Sequence, residues 1–500
     1  MSELLDRPRE ECGVFGVVTR RGKSLDVSRL AYFGLHALQH RGQESAGIAV
    51  QTDHGADVHR GMGLVAKVFS DAVLDRLQGT IGLGHNRYST TGGSHLRNAQ
   101  PCLVDTLHGH LAVAHNGNIT NAAEMRRDLQ QRGVGFSSTT DTEVATQFLT
   151  APAAGESLEG PPDWVARLEG LMAVAEGAYS LGVMVQDTLY ALRDPHGLRP
   201  LCVGEIFDDG DVLGWAVASE STALNTVGAR NVREIAPGEI IRITRDGVET
   251  VSVHKDPPPP ALCVFEYVYF ARPDTVLEGR SVNIVRRRLG VRLGQESPAQ
   301  ADVVIDVPDS GKPAAMGYAA ATGLPYAEGL IKNRYVGRTF IQPTARLRRH
   351  GVRLKYSTLR ETLEGRRVVL VDDSIVRGTT IGPLIRLLRE GGAREVHVRV
   401  AAPAIRHPCY MGVDMSDYDQ LIAHRMPVED IAAHVGADSL AYLSVPGLLA
   451  AVRSGLPGDC GHCSACFDGK YPVRIPASAS LDAAKHQFER STAPVSTPHS

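Results

Sequence analysis

The sequence predicts two domains of different class, an α+β half over residues 12–250 and an α/β half over residues 261–470. Three observations predict it. The run Pro257-Pro258-Pro259-Pro260 favours an extended, semi-rigid connector. Before it, short apolar stretches are bounded by turn residues, the pattern of many strands. After it, an apolar strand, an amphipathic helix and a second strand follow one another as one βαβ unit.

In the first half, residues 12–18, 45–50 and 180–185 read as strands, and helices are expected over 25–40 and 121–132. In the second half, Val368-Val369-Leu370-Val371 is apolar enough to be buried on both faces. The next helix carries Ile381, Leu384, Ile385 and Leu388 at i, i+3, i+4, i+7 spacing, and Gly391-Gly392 stop it. A strand over 395–402 completes the unit. Residues 475–500 lack apolar periodicity and read as a disordered tail.

The composition excludes several classes. The 500 residues hold 53 Lys and Arg against 56 Asp and Glu, a net charge of −3, so neither a general nucleic-acid binder nor an acidic-tail protein is expected. No apolar run of about 18 residues occurs, so no membrane span is expected. Residues 1–11 are charged and lack an apolar core, which does not fit a secretory signal; a cytoplasmic location is expected. The 8 cysteines are too sparse for a disulfide scaffold and read as reduced thiols, catalytic groups or metal ligands.

The clearest chemistry follows the 368–371 strand. Its end delivers Asp372 and Asp373 to the rim of a parallel sheet, where α/β proteins place ligands. Gly378, Thr379 and Thr380 then open a helix, where free backbone N–H groups and hydroxyls make a phosphate cradle. Two carboxylates would repel a phosphate alone. They make sense holding ribose hydroxyls and a Mg²⁺ ion bound to the ligand's phosphates. The plain alternative is a strand end and a capped turn. No P-loop pattern appears.

This segment resembles the PRPP-binding motif of type I phosphoribosyltransferases (PRPP is 5-phosphoribosyl 1-pyrophosphate). The resemblance implies that Asp372 and Asp373 meet the ribose hydroxyls and Mg²⁺. It also implies that Ser374, Arg377, Gly378, Thr379 and Thr380 hold the 5′-phosphate. Residues 303–311 fit a pyrophosphate loop in which Ser310 approaches the metal. Lys332 to Thr339, with Lys332 and Arg338, resemble a flap that closes over PRPP.

In the first half, Cys12 opens a predicted strand after Glu10-Glu11. A cysteine there is usually a packing residue. Removal of residues 1–11 as a propeptide would leave Cys12 with a free α-amine, which titrates near pH ~7.7–8 and can serve as base for its own thiol. The stretches 39–47, 84–90, 115–119 and 140–143 resemble the class II glutamine amidotransferase domain of N-terminal nucleophile (Ntn) hydrolases. The resemblance implies an αββα sandwich with Cys12 as nucleophile and Asn116 and Gly117 as oxyanion hole. Arg87 would bind the glutamine α-carboxylate and Asp141 its α-ammonium. His36, His40, His85 and His115 are read as packed or hydrogen-bonding groups, since such a nucleophile needs no histidine.

Cys460, Cys463 and Cys466 form overlapping CxxC motifs, for which soft metals or redox pairing are the generic readings, structural zinc among them. The domain order resembles the Bacillus-type glutamine PRPP amidotransferase family. This implies a [4Fe-4S] cluster on Cys263, Cys409, Cys463 and Cys466, with Cys460 a rival ligand. Cys102 and Cys202 are assigned to packing.

The implied reaction moves ammonia from glutamine to PRPP by a path sheltered from solvent, giving 5-phosphoribosylamine, glutamate and pyrophosphate in de novo purine synthesis. The resemblance further implies a homotetramer inhibited by purine nucleotides. Two rivals are a sugar-phosphate aminotransferase, which lacks the Asp372-Asp373 motif, and a PRPP-sensing repressor, which lacks a glutaminase domain.

Overall fold

Alternation along Gly13–Thr19 decides the architecture of the first unit. Val14 and Val18 point to one side of the strand, Phe15 and Val17 to the other, and all four are buried. A strand buried on both faces needs a layer on each. This computed structural model describes residues 11–88, 91–152, 160–333, 335, 352–415, 417–458 and 460–476.

On one side of the strand lies a second sheet. Val14, Val18 and Leu83 of the first sheet pack with Ala112, Ala114, Met184 and Ala191 of the other. On the opposite side Phe15 and Val17 pack with Ala31 and Leu35 of the helix Val27–Ala37. The second sheet turns Leu111, Val113, Leu181 and Val183 outward onto Met125, Leu129, Val144 and Leu168, which lie on three helices. The layers are therefore helix, sheet, sheet, helix, as expected. Each fully buried Val or Leu contributes about 1.5–3 kcal/mol. The first sheet has seven antiparallel strands with Gly13–Thr19 between Ile81–Arg87 and Asp211–Ala218. The second has six, with Gly109–Ile119 paired to Gly177–Val185. The expected helices at 25–40 and 121–132 form as Val27–Ala37, whose N-cap Asp26 accepts from Arg29 N–H, and Ala122–Gln131.

The second unit is built on a four-stranded parallel sheet: Val303–Asp306, Arg367–Asp372, Glu395–Val400 and Ser439–Tyr442, in that order. Ile381, Leu384, Ile385 and Leu388 bury the helix Ile381–Glu390 in its core. The strand expected over 395–402 stops at Val400, because Pro403 next offers no N–H. The helix starts at Ile381 rather than inside 378–380, since Gly378 has φ +73°.

By contacts the first unit holds the described residues of Glu10–Leu262, the segment Tyr410–Asp414 and the stretch from Tyr471; the second holds Cys263–Cys409 and Met415–Lys470. No described helix is long and apolar enough to cross a membrane. Arg338, most of the 332–339 flap, residues 1–10 and the tail from 477 lie outside the described residues.

Candidate active sites

Cys12 sits where the central strand of the first sheet begins, and is 5% exposed. The neighbouring strand runs antiparallel, with Gly13 opposite Asn86, so Arg87 and Tyr88 arrive at the same sheet end. The Cys12 thiol donates to Tyr88 O at 3.4 Å. Burial pushes the thiol up to about 12, and the charges of Arg87, Asp141 and Glu44 all act on it. The structure thus brings the expected nucleophile together with both expected glutamine-binding residues, and adds Glu44.

The second sheet supplies His115, Asn116 and Gly117 from the strand Gly109–Ile119. His85 Nε2 lies 2.9 Å from His115 O and bridges the two sheets. Burial drives the His85 pKa down to about 3, so its imidazole is neutral and structural. Asn116 is fully buried, and neither Nδ2 nor Oδ1 has a hydrogen-bond partner among the described residues. An amide so placed costs free energy unless a ligand completes it. Gly117 has φ +137°, and a Cβ there would lie 2.1 Å from Ala178 O, so only glycine fits.

Arg87 is buried and donates to the carbonyls of Thr91, Gly92 and Gly93 at 3.0–3.2 Å, which shapes the adjoining loop. Asp141 is the first residue of the helix Asp141–Thr150 and accepts from Ile119 N and Thr142 N, both at 3.0 Å. Burial raises its pKa, but His115 and these two N–H groups outweigh that and hold the carboxyl below its ordinary value. It is therefore an anion, suited to an ammonium group.

One network was not legible in the motifs. Arg41, fully buried, donates to Cys12 O at 3.1 Å, to Glu220 at 2.6 Å and to Glu11 at 2.9 Å. Glu11 also pairs with buried Arg199. Two buried guanidinium groups thus hold the side-chain carboxylate of Glu11, the residue whose peptide bond to Cys12 would be cleaved to free the α-amine. While that bond is intact, Cys12 has no amine base and a thiol near pKa 12. Iodoacetamide at pH ~8 is expected to spare Cys12 in uncleaved protein, where thiolate is roughly 10⁻⁴ of the population against about a quarter for an ordinary cysteine. Peptide mapping reads this, with partly exposed Cys460 as internal control; rapid labelling of Cys12 would contradict the buried environment.

In the second unit the strands Val303–Asp306 and Arg367–Asp372 pair in parallel and end together. Asp372 and Asp373 follow, buried. Asp373 N–H donates to Asp372 at 2.9 Å, and Ser374 Oγ donates to Asp373 at 2.6 Å. The loop after the first strand packs on the second, for a Cβ on Gly311 would meet Val371 O at 2.6 Å. Ser310 Oγ is buried there without a hydrogen-bond partner among the described residues. Lys332 Nζ reaches Asp309 of that loop at 2.6 Å. Arg377 donates to Gln420 at 3.0 Å, and Gly378, Thr379 and Thr380 lead into the helix, which Thr380 does not cap through its side chain. Two carboxylates, an unsatisfied hydroxyl and a helix N-terminus fit a Mg²⁺-bound polyphosphate.

Cys263, Cys409, Cys463 and Cys466 are all buried. Burial raises the Cys466 thiol well above its ordinary value, and Cys263, Cys409 and Cys463 raise it further, so the four share one neighbourhood. Among the described residues no three His, Cys, Asp or Glu side chains converge tightly enough for a single ion. Four buried thiols in one neighbourhood are the donor set a [4Fe-4S] cubane takes, one cysteine on each iron. Cys460 is only partly buried. Cys202 lies in the apolar core against the helix Val27–Ala37, its thiol donating to Ala218 O at 3.2 Å.

Comparison with known proteins agrees with this division. Residues 85–226 match the glutamine amidotransferase domain model and residues 275–437 the phosphoribosyl transferase domain model. The chain is 48% identical to the amidophosphoribosyltransferase of Synechococcus elongatus over 475 residues, 95% of this chain and 94% of that one. It is 46% identical to the human amidophosphoribosyltransferase over 510 residues, covering 93% and 98%. Its structure matches that of glutamine PRPP amidotransferase from B. subtilis, complexed with ADP and GMP, with a TM-score of 0.84 at 42% identity, covering 94% and 99%.

Proposed function

The chain belongs to the amidophosphoribosyltransferase family, and from that premise we propose how its residues divide the work. The enzyme transfers ammonia from glutamine to PRPP, giving 5-phosphoribosylamine, glutamate and pyrophosphate in purine biosynthesis.

In the first unit, cleavage after Glu11 frees the Cys12 α-amine, which takes the thiol proton. Cys12 Sγ then attacks the side-chain carbonyl carbon of glutamine, with Arg87 on the substrate α-carboxylate and Asp141 on its α-ammonium. The charge forming on the amide oxygen meets Asn116 Nδ2–H and Gly117 N–H. The C–N bond breaks, ammonia leaves with a proton returned by the α-amine, and water hydrolyses the thioester to glutamate. The observation that carries this assignment is the buried, unpartnered Asn116 amide in the same unit as Cys12.

In the second unit, Asp372 and Asp373 bind the ribose hydroxyls, and residues 374–380 hold the 5′-phosphate. Lys332 and Arg338 neutralise pyrophosphate as its C1–O bond breaks and the ammonia nitrogen bonds to C1. A Mg²⁺ ion on Asp372, Asp373 and Ser310 would supply further charge neutralisation of the leaving group. The test is pyrophosphate release from PRPP, measured with glutamine and with ammonia separately; release with neither refutes the reading.

The cysteine set is assigned to a [4Fe-4S] cluster with a structural role, since the reaction transfers no electrons. Cys463→Ser is expected to lower the iron and sulfide content of anaerobically purified protein, whereas Cys460→Ser leaves it unchanged; iron–sulfide analysis reads both, and the reverse pattern makes Cys460 the ligand. Purine nucleotides as feedback inhibitors, a homotetramer and a cytoplasmic location complete the reading, the first supported by the nucleotides in the B. subtilis complex.

A further inference from the structure

The segment Tyr410–Asp414 belongs to the glutaminase unit although it lies nearly three hundred residues from the strand it touches. It is clamped at several points. Asn118 Nδ2 donates to Tyr410 O at 2.8 Å, while Asn118 Oδ1 accepts from Thr91 at 2.7 Å. Arg199, fully buried, donates to Met411 O through Nε at 3.2 Å and Nη2 at 2.6 Å. Tyr88, whose carbonyl accepts from the Cys12 thiol, places its hydroxyl 3.4 Å from Asp414. Between these clamps Gly412 adopts φ +107°, and a Cβ there would lie 2.9 Å from Gly117 C and 3.1 Å from Gly117 Cα and O.

Gly117 is thus confined by two neighbours. A Cβ on it would meet Ala178 O at 2.1 Å, and the Gly412 backbone lies close to its Cα, C and O. Backbone against backbone leaves no flexible side chain to absorb a shift. Two glycines in succession at this contact, each at positive φ, allow the approach.

We infer that Gly412, held by Asn118 and Arg199 through the carbonyls of residues 410 and 411, is a positioning residue for the oxyanion hole. It fixes the Cα of Gly117 and the Gly117–Asn118 peptide that follows, and through that Cα the direction in which the Gly117 N–H is presented to the glutamine amide oxygen. This rests on the reading of Asn116 and Gly117 as the oxyanion hole. Donors of this kind must be placed within about 0.5 Å to act, and loss of one costs roughly 10²–10³ in turnover.

The test compares Gly412→Ala, Asn118→Ala and Asn116→Ala in the full-length enzyme. Gly412→Ala adds a methyl against Gly117, and Asn118→Ala releases the Tyr410 carbonyl. Both are expected to lower kcat for glutamine hydrolysis about tenfold or more, with KM for glutamine changed by less than about threefold. Ammonia-dependent pyrophosphate release should remain as in the parent enzyme. Inhibition by glutamate γ-semialdehyde, whose adduct on Cys12 places an oxygen in the hole, should weaken by the same factor as kcat. Product glutamate should bind as before, a split that general loosening of the unit would not produce.

Parent-like kcat in both Gly412→Ala and Asn118→Ala overturns the proposal, as does equal weakening of semialdehyde and glutamate. Should Gly412→Ala also lose ammonia-dependent turnover through misfolding, Asn118→Ala decides by the same two criteria. Parent-like activity in Asn116→Ala would instead remove the oxyanion reading beneath it, so the two failures are distinguishable.

Discussion

Replacing Cys12 by alanine is expected to lower glutamine-dependent pyrophosphate release at least ~10³-fold, because only the oxyanion hole and substrate binding remain to assist the reaction. Ammonia-dependent release from PRPP should stay within about twofold of the parent, since Cys12 and the PRPP residues lie in different units and supplied ammonia bypasses the step that needs the thiol. The substitution removes one buried thiol at the start of a strand whose other side chains hold both faces of the sheet. The fold should survive, and circular dichroism checks it. Retention of the glutamine reaction would show that Cys12 is the packing residue its burial also suits.

Asp373→Asn is expected to weaken both reactions, by roughly 10²-fold in kcat/KM for PRPP. The carboxylate is buried at the strand end and accepts from Ser374 Oγ at 2.6 Å. Asparagine keeps that acceptor and the shape while removing the charge, so the loss reports ligand binding rather than collapse of the loop. Glutamine-dependent and ammonia-dependent release should fall by the same factor, because the step they share is affected. A fall in the glutamine reaction alone would place Asp373 outside the PRPP site.

Much of the site was legible because it is local. Asp372, Asp373 and the 374–380 turn are consecutive residues between an apolar strand and an amphipathic helix, and periodicity alone locates both. Cys12, Arg87 and Asp141 sit in short motifs at an element's end, and Asn116 in one inside the strand Gly109–Ile119. The Arg41–Glu11–Arg199 network and the 410–414 segment were not legible. Arg41 looks like one charge in a polar stretch, and only three-dimensional packing shows it fully buried between Cys12, Glu11 and Glu220. Gly412 follows a proposed cluster cysteine and reads as an ordinary turn; nothing near it in the chain points to Gly117.

By itself the sequence determined the two classes of domain, the order of the elements and the residue types able to do the chemistry. These follow from side-chain periodicity and from functional groups carried within a few residues of one another. The eight cysteines show where that stops. Their spacing marks a CxxC cluster, but only the tertiary structure gathers Cys263 and Cys409 beside Cys463 and Cys466 and leaves Cys460 partly exposed. It also decided that the Cys12 thiol is desolvated, that Asn116 has a buried amide to offer, and that Gly412 leans on Gly117. Burial, charge and close backbone approach depend on what the rest of the chain brings alongside a residue, and contacts across hundreds of residues leave no trace in local pattern.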